Sequence, residues 1–204
     1  AEKGTNIALM ASGSLHNLEA LYGKKTYDVD EKNGYLQLMF ETNLTKLHIL
    51  SAGLSMNHDY LKEKVNVTSA TQTITKETTP GAYVQYTLNI NDEIVAMAGL
   101  RADHSSHYGT FVTPRLHLKY APSNIFTLRL SAGKGYRPPF ALAENNYLLA
   151  SGRTLVVDDL KQEEAWNYGI STAFSIPLAD KLLKVNAEYY YTRFSQQCSS
   201  SSTA

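Results

Sequence analysis

The side chains with chemical potential in this chain fall into a few groups. Asp158-Asp159 and Glu163-Glu164 are paired carboxylates, the usual material of general acid–base catalysis. Neighbouring residues of a strand point to opposite faces, and nothing nearby promises an apolar pocket that would raise one pKa above the other. These pairs read as solvated loop charge, and no enzymatic activity is expected. His104 and His107 flank Ser105-Ser106, but two imidazoles without a spaced third ligand make a poor metal site. Gly133-Lys134-Gly135 lacks the spacing of a phosphate-cradling loop, and Asn43-Leu44-Thr45 and Asn66-Val67-Thr68 are incidental glycosylation sequons. No cofactor is implied.

Two other sets carry more weight. Arg115, His117, Lys119 and Arg129 recur at alternate positions of two neighbouring strands and would form a basic wall able to attract an anionic chelate. The plainer reading is a solvated wall balanced by Asp103 and Glu188. A long polar connection from Tyr136 to Arg153 offers Arg137, Glu144, Asn145, Asn146, Tyr147 and Arg153, groups suited to recognising a small molecule. Arg137, Asn145, Asn146, Tyr147 and Arg153 are the candidate ligand contacts.

The elements that would position these groups are strands. From Glu93 to Asp103 the even positions are Ile94, Ala96, Ala98, Leu100 and Ala102, and the odd ones include Glu93, Arg101 and Asp103. The same period of two runs through Leu116, Leu118 and Tyr120 against Arg115, His117 and Lys119, and through Phe126, Leu128 and Leu130 against Thr127, Arg129 and Ser131. Three ionisable residues on one short strand face cannot meet a dry core, so that face is wet. About nine strands are predicted: 5–16, 34–44, 47–60, 77–90, 93–104, 110–121, 125–134, 163–176 and 182–196. Tight turns at Thr45-Lys46, Ile90 to Asp92, Pro122 to Asn124 and Pro177 to Lys181 alternate with longer connections at 17–33, 61–76 and 134–162. Short turns at one rim, longer loops at the other, and outward aromatics at Tyr120, Phe126, Phe174, Trp166, Tyr168 and Tyr191 suit a membrane barrel with two aromatic girdles. A soluble β-rich ligand-binding module, with the apolar face turned inward, is the alternative that alternation alone leaves open.

Composition adds little. Nineteen basic and nineteen acidic residues give a formal net charge of zero, which argues against nucleic acid as a partner. No run approaches the length of a membrane helix, which leaves barrel strands untouched. The single cysteine, Cys198, opens a tail (198–204) of small polar residues that reads as an unstructured remnant of cloning or truncation.

Two stretches decide between the readings. Arg129-Leu130-Ser131-Ala132-Gly133-Lys134-Gly135-Tyr136-Arg137-Pro138-Pro139, followed by Asp159-Leu160-Lys161-Gln162-Glu163-Glu164-Ala165-Trp166-Asn167-Tyr168-Gly169, resembles the later barrel of TonB-dependent outer-membrane receptors. The matching positions are Ser131, Gly135, Tyr136, Arg137 and Pro139, then Leu160, Lys161, Glu163, Asn167 and Gly169. Pro138 and Gln162 depart from the pattern. The resemblance covers about Thr5 to Gln197 and implies an all-β fold: part of an antiparallel transmembrane β-barrel, about nine strands of 22, in the cell outer membrane. At roughly 23 residues per strand with its connection, a whole barrel would need on the order of 500 residues, so 1–197 is expected to be a partial barrel without plug. The resemblance further implies import of a scarce nutrient such as a ferric siderophore or cobalamin. The implied partners are outer-membrane lipid, a small-molecule or metal-chelate ligand, and, in the parent protein, a plug domain and the TonB complex. The basic wall would then face the plug or the chelate.

Overall fold

The computed structural model describes residues 4–66, 70–137, 162–178 and 181–196. They form one antiparallel sheet of nine strands in sequence order: β1 (Thr5–Tyr22), β2 (Lys25–Asn43), β3 (His48–Asn66), β4 (Ala70–Ile90), β5 (Ile94–Ser105), β6 (Gly109–Tyr120), β7 (Phe126–Arg137), β8 (Glu163–Leu178) and β9 (Lys181–Gln196). Among the described residues there is no helix, and β1 and β9 do not pair with each other. The tail 198–204 lies outside the described residues.

Register shows why the sheet holds together without a second layer. Ile7, Phe40, Ala52, Val84, Leu100 and Pro114 stand on one line across six strands. The next line on that face carries Leu50, Tyr86, Ala98, Leu116, Ala132, Tyr168 and Tyr191, and the one after it Leu88, Ala96, Leu118, Leu130, Ile170 and Tyr189. The apolar positions of successive strands thus merge into a continuous belt. It is not covered: Ile7, Leu38, Leu54, Leu100 and Leu116 are all exposed.

The opposite face is the crowded one. Ser51, Ser55, Glu77, Asp103, Ser105, Tyr27 and Val29 are the buried residues, and all seven lie on the face opposite the belt. In a single-layer sheet a side chain can be covered only by neighbours on its own face. Burial confined to one face therefore marks that face as concave, where curvature draws side chains together, and the apolar face as convex. This is the reverse of a soluble sandwich or lipocalin-like barrel, and the described residues contain only two buried apolar side chains, Tyr27 and Val29. The soluble alternative has no core to stand on.

Two expectations about loops need correction. The segments 17–33 and 61–76 are mostly strand: β1 and β2 run to a two-residue turn at Gly23-Lys24, with Gly23 at φ 67°, and β3 and β4 are described as strand to Asn66 and from Ala70. β1–β4 are 18 to 21 residues long against 12 for β5–β7, so this hairpin pair stands about 20 Å taller along the strands. The third long connection also narrows, because β7 continues to Arg137 and β8 begins at Glu163.

At the other rim the turns are short. Asn91 and Asp92 have φ of 50° and 59°, both in the left-handed region, and Glu93 N–H donates to Ile90 O at 3.1 Å. Positive φ at both central residues matches the twist of the flanking strands, with Asn and Asp in the positions that most often hold Asn-Gly, and Glu93 completes a three-residue connection between the paired Ile90 and Ile94. Asn89 braces it, donating to Asp92 Oδ1 at 2.8 Å and accepting from the Asp92 N–H at 3.1 Å.

Candidate functional site

Arg115, His117 and Lys119 on β6 and Arg129 on β7 share the concave face. Lys119 and Arg129 stand directly opposite each other across the β6–β7 ladder, on a line that continues through Ser171 to Glu188. Like charges facing across a ladder oppose pairing, so this juxtaposition costs stability unless an anion or water covers it. Lys119 turns its ammonium to the Asp92 carbonyl at 3.2 Å, and Glu188 is engaged by Ser171 (3.4 Å) and Tyr190 (3.3 Å). None of the four basic residues enters an ion pair among the described residues. A depression of about 320 Å³ opens over three of them, lined by His117, Lys119, Arg129, Ser131, Ser171, Glu188 and Tyr190 among others, and Arg115 lies outside it. Its wall is mixed, with Leu118, Leu130 and Ile170 contributing beside the charged and hydroxyl groups. Asp103 does not balance this wall, because Arg101 holds it in a bidentate pair at 2.6 and 2.7 Å.

The remaining candidates divide. Arg137 is the last residue of β7, opposite Glu163, so it belongs to a strand end and not to a free loop. Asn145, Asn146, Tyr147 and Arg153 lie outside the described residues, as do Asp158 and Asp159. Glu163-Glu164 is strand and not loop: Glu164 pairs with Lys134 at 2.7 Å, and that ammonium also sits 4.8 Å from the centre of the Tyr136 ring. Lys134 is thereby committed to a rim contact and not to phosphate. The two histidines diverge as well. His104 Nδ1 is 2.8 Å from Thr110 Oγ1, and His107 Nε2 is 2.7 Å from the Lys76 carbonyl oxygen. Among the described residues no group of three metal-ligating side chains assembles.

Sequence reading missed the concave face of the tall β1–β4 hairpins. Tyr27 is completely buried there, with Val29 beside it and Ala20, Tyr22, Leu61 and Val65 packed around them. Tyr27 Oη donates to Glu63 Oε1 at 2.6 Å; burial, then the Glu63 carboxylate, pushes the phenol well above its usual range. A second cavity, about 160 Å³, opens beside this cluster and is lined by His16, Leu18, Tyr27, Glu31, Asp59 and Glu77 among others. Asp59 is held by Asn33 and Asn57. The vestibule is apolar with carboxylates at its edge, and the basic wall lies on the same face farther along the sheet.

Ser105, only 1% exposed, ties the β5–β6 turn to this region. Its hydroxyl donates to Glu77 and accepts from the N–H groups of His107 (3.1 Å) and Tyr108 (3.0 Å), while Ser106 N–H reaches Thr78 O at 3.2 Å. Replacing Ser105 with Ala should leave two backbone donors and a buried carboxylate short of a partner, at a cost of about 1–3 kcal/mol. Hydrogen exchange should then quicken at 105–109 and not at 94–102; unchanged exchange at the turn would show that the hydroxyl does not hold it.

On the convex face the belt ends in aromatic pairs. Phe126 and Phe174 meet at 5.0 Å near the short-turn rim, and Trp166, Tyr168 and Tyr191 stack in series near the other. From Phe174 to Trp166 is eight residues, about 26 Å along the strand and about 20 Å in height at a 40° tilt, close to the apolar band of outer-membrane barrels.

A curved antiparallel wall, wet inside and apolar outside, with aromatic girdles at both rims, defines a membrane β-barrel. The sequence matches a family model described as TonB dependent receptor-like, beta-barrel, over residues 6–204. The chain belongs to that family, whose members are outer-membrane receptors and not enzymes. No curated protein matches the sequence. Among solved structures it is similar to the siderophore receptor PirA from Pseudomonas aeruginosa (TM-score 0.63, 15% identity, 95% of this chain and 40% of that one). It is also similar to the ferric yersiniabactin uptake receptor FyuA from Yersinia pestis (TM-score 0.60, 16% identity, 95% and 34%) and to the copper transporter OprC (TM-score 0.62, 12% identity, 92% and 36%). The chain spans about two fifths or less of the length of these proteins. At such identities the likeness is one of fold.

Proposed function

We propose that residues 1–197 form part of the barrel wall of an outer-membrane receptor that imports a scarce nutrient, a ferric siderophore or a related metal chelate before cobalamin. The observation that carries this reading is the inverted burial, polar side chains crowded on the concave face and an apolar belt on the convex one. Iron and siderophore uptake proteins recur among the structural neighbours, and this favours a metal chelate, although a copper transporter shares the fold. In this reading ligand enters from the rim where β1–β4 stand tall, and the vestibule around Tyr27, Arg137 at the end of β7, and the 138–162 connection with Asn145, Asn146, Tyr147 and Arg153 make first contact. Arg115, His117, Lys119 and Arg129 face the lumen, where carboxylates of a plug domain or of the chelate cover the Lys119–Arg129 repulsion. A TonB complex then supplies the pull that releases the plug.

The test uses the complete receptor that carries this chain, expressed in a receptor-deficient strain, with uptake of radioiron loaded on catecholate, hydroxamate and phenolate siderophores, and of labelled cobalamin. One chelate class should be taken up. Arg137→Ala and Tyr147→Ala should weaken its binding about tenfold, the scale of one lost charged or aromatic contact, with surface levels unchanged. Uptake of none of the probes by a correctly inserted receptor would overturn the reading.

A further inference from the structure

We infer that the vestibule around Tyr27 takes an organic cation, an ammonium group carried on an apolar stem. This rests on the import reading proposed above and deepens it, because the imported ligand then presents a positively charged arm to this side of the mouth.

Four strands build the vestibule at one height. Register sets Leu18 against Val29, His16 against Glu31, Glu31 against Leu61, and Asp59 against Glu77, all on the concave face. Leu18, Tyr27, Val29 and Leu61 give the cavity of about 160 Å³ its apolar wall, and Glu31, Asp59 and Glu77 line it beside them. That volume is well below the roughly 300–1,000 Å³ of a pocket for a whole drug-sized ligand, so the cavity fits a side arm and not a complete chelate.

The carboxylates lack counter-charge. Asp59 and Glu77 face each other directly across the β3–β4 ladder, and like charges in that position repel. Their hydrogen bonds come from neutral groups, the Asn33 and Asn57 amides for Asp59 and the Ser105 hydroxyl for Glu77. Glu63, on the same face, is held by the Tyr27 hydroxyl, and Glu31 has His16 at 3.9 Å. Neutral donors satisfy the oxygens and leave the charge. Among the described residues no lysine or arginine makes an ion pair with any of the four. At this height Lys32, Lys62, Lys64 and Lys76 all point to the other face, and the one inward lysine, Lys25, stands beside the turn at Gly23-Lys24.

These features select the occupant. An anion would meet the carboxylates of Glu31, Asp59 and Glu77. A neutral apolar group would fill the cavity but leave the Asp59–Glu77 repulsion in place. A bare metal ion finds no set of three ligating side chains among the described residues. An alkyl- or arylammonium answers both halves of the wall: its stem covers Leu18, Val29 and Leu61, and its charge settles against Asp59 and Glu77, with Glu31 at the edge.

The complete receptor in detergent should be titrated by fluorescence anisotropy with one dye on hexyl tethers that end in an ammonium, a hydroxyl or a carboxylate. The ammonium probe should bind on the order of tenfold more tightly than the hydroxyl probe, with the carboxylate probe weakest, and high salt should shrink the difference. The Glu31→Gln, Asp59→Asn double variant should lose that advantage, at about threefold per carboxylate. Leu18→Asn keeps the carboxylates and should weaken the ammonium and hydroxyl probes alike. Heat-modifiable migration on gels reports folding of each sample, and Glu31→Gln alone, at an exposed position, carries the test if the double variant does not fold. Equal affinity for the three probes, or an ammonium preference unchanged in the folded variant, would overturn the site. The uptake assay separates this from the import reading: a receptor that imports a chelate but shows no ammonium preference refutes this inference alone, and an ammonium preference in a receptor that imports none of the chelates refutes the chelate reading and leaves the cation site standing.

Discussion

Arginine at Leu38 should cripple membrane insertion, while arginine at the preceding residue, Gln37, should be tolerated. Leu38 lies in the middle of the apolar belt, 45% exposed, on a line with Leu9 and Leu54. Gln37 points to the concave face and accepts a hydrogen bond from Tyr35 Oη at 2.9 Å. A cation on the lipid face near the bilayer midplane costs about 2–4 kcal/mol, a shift of about 30- to 1000-fold in the folding equilibrium, whereas a lumen-facing cation meets water. A half-exposed leucine on a soluble protein would tolerate the same change within about 0.5 kcal/mol. Reversible urea titration of the complete receptor in vesicles measures the difference directly. Equal losses at the two positions, or none at Leu38, would sink the assignment of the convex face to lipid.

Much of this architecture was legible in the sequence because membrane strands keep a constant phase. The run from Ile94 to Ala102 and the Leu116–Tyr120 set needed only parity, and the structure places each on the convex face. Parity alone could not tell the convex from the concave side; the ionisable residues on one strand face did that, since they must be wet. The tall halves of β1–β4 escaped for a related reason. Their apolar residues move from even to odd positions, from Leu36, Leu38 and Phe40 to Tyr27 and Val29 in β2, and from Leu54 and Met56 to Leu61 and Val65 in β3. A scan for one phase reads such an inversion as a break in the strand and hence as a loop. The inversion is itself the signal of the membrane border, and looking for it would have found the Tyr27 cluster.

The candidate site was less legible. Arg115, His117, Lys119 and Arg129 were available from parity, but the direct opposition of Lys119 and Arg129 depends on ladder register, which no local pattern encodes. The role given to Asp103 failed for a nearer reason, an i, i+2 pair within one strand. Its partner, Arg101, is two residues away on the same strand face, and the space for that pair is made by a glycine on the neighbouring strand.

Removing the Asp103 carboxylate should therefore be among the most damaging single changes on the concave face. Asp103 is 6% exposed and receives two hydrogen bonds from Arg101, at 2.7 Å from Nε and 2.6 Å from Nη2. The same Nη2 reaches Ser55 Oγ at 2.7 Å, linking β3 to β5 across β4. The strand between them supplies Gly81, where a Cβ would fall 2.8 Å from Arg101 Nη2 and 3.0 Å from Ser55 Oγ. In Asp103→Ala the guanidinium, 24% exposed, keeps the serine and Tyr35 but no counter-charge. Stranding one member of a buried pair costs about 3–5 kcal/mol, and the partial exposure of Arg101 places the expected loss at about 3. Replacing both residues, Arg101→Met with Asp103→Ala, should recover most of that loss, because the penalty comes from the uncompensated charge and not from the missing attraction. Urea titration of the single and double variants in vesicles decides it. A double variant as unstable as Asp103→Ala would mean that the pair acts by packing alone, and a single variant within about 0.5 kcal/mol of wild type would mean that the concave face at this level is open water.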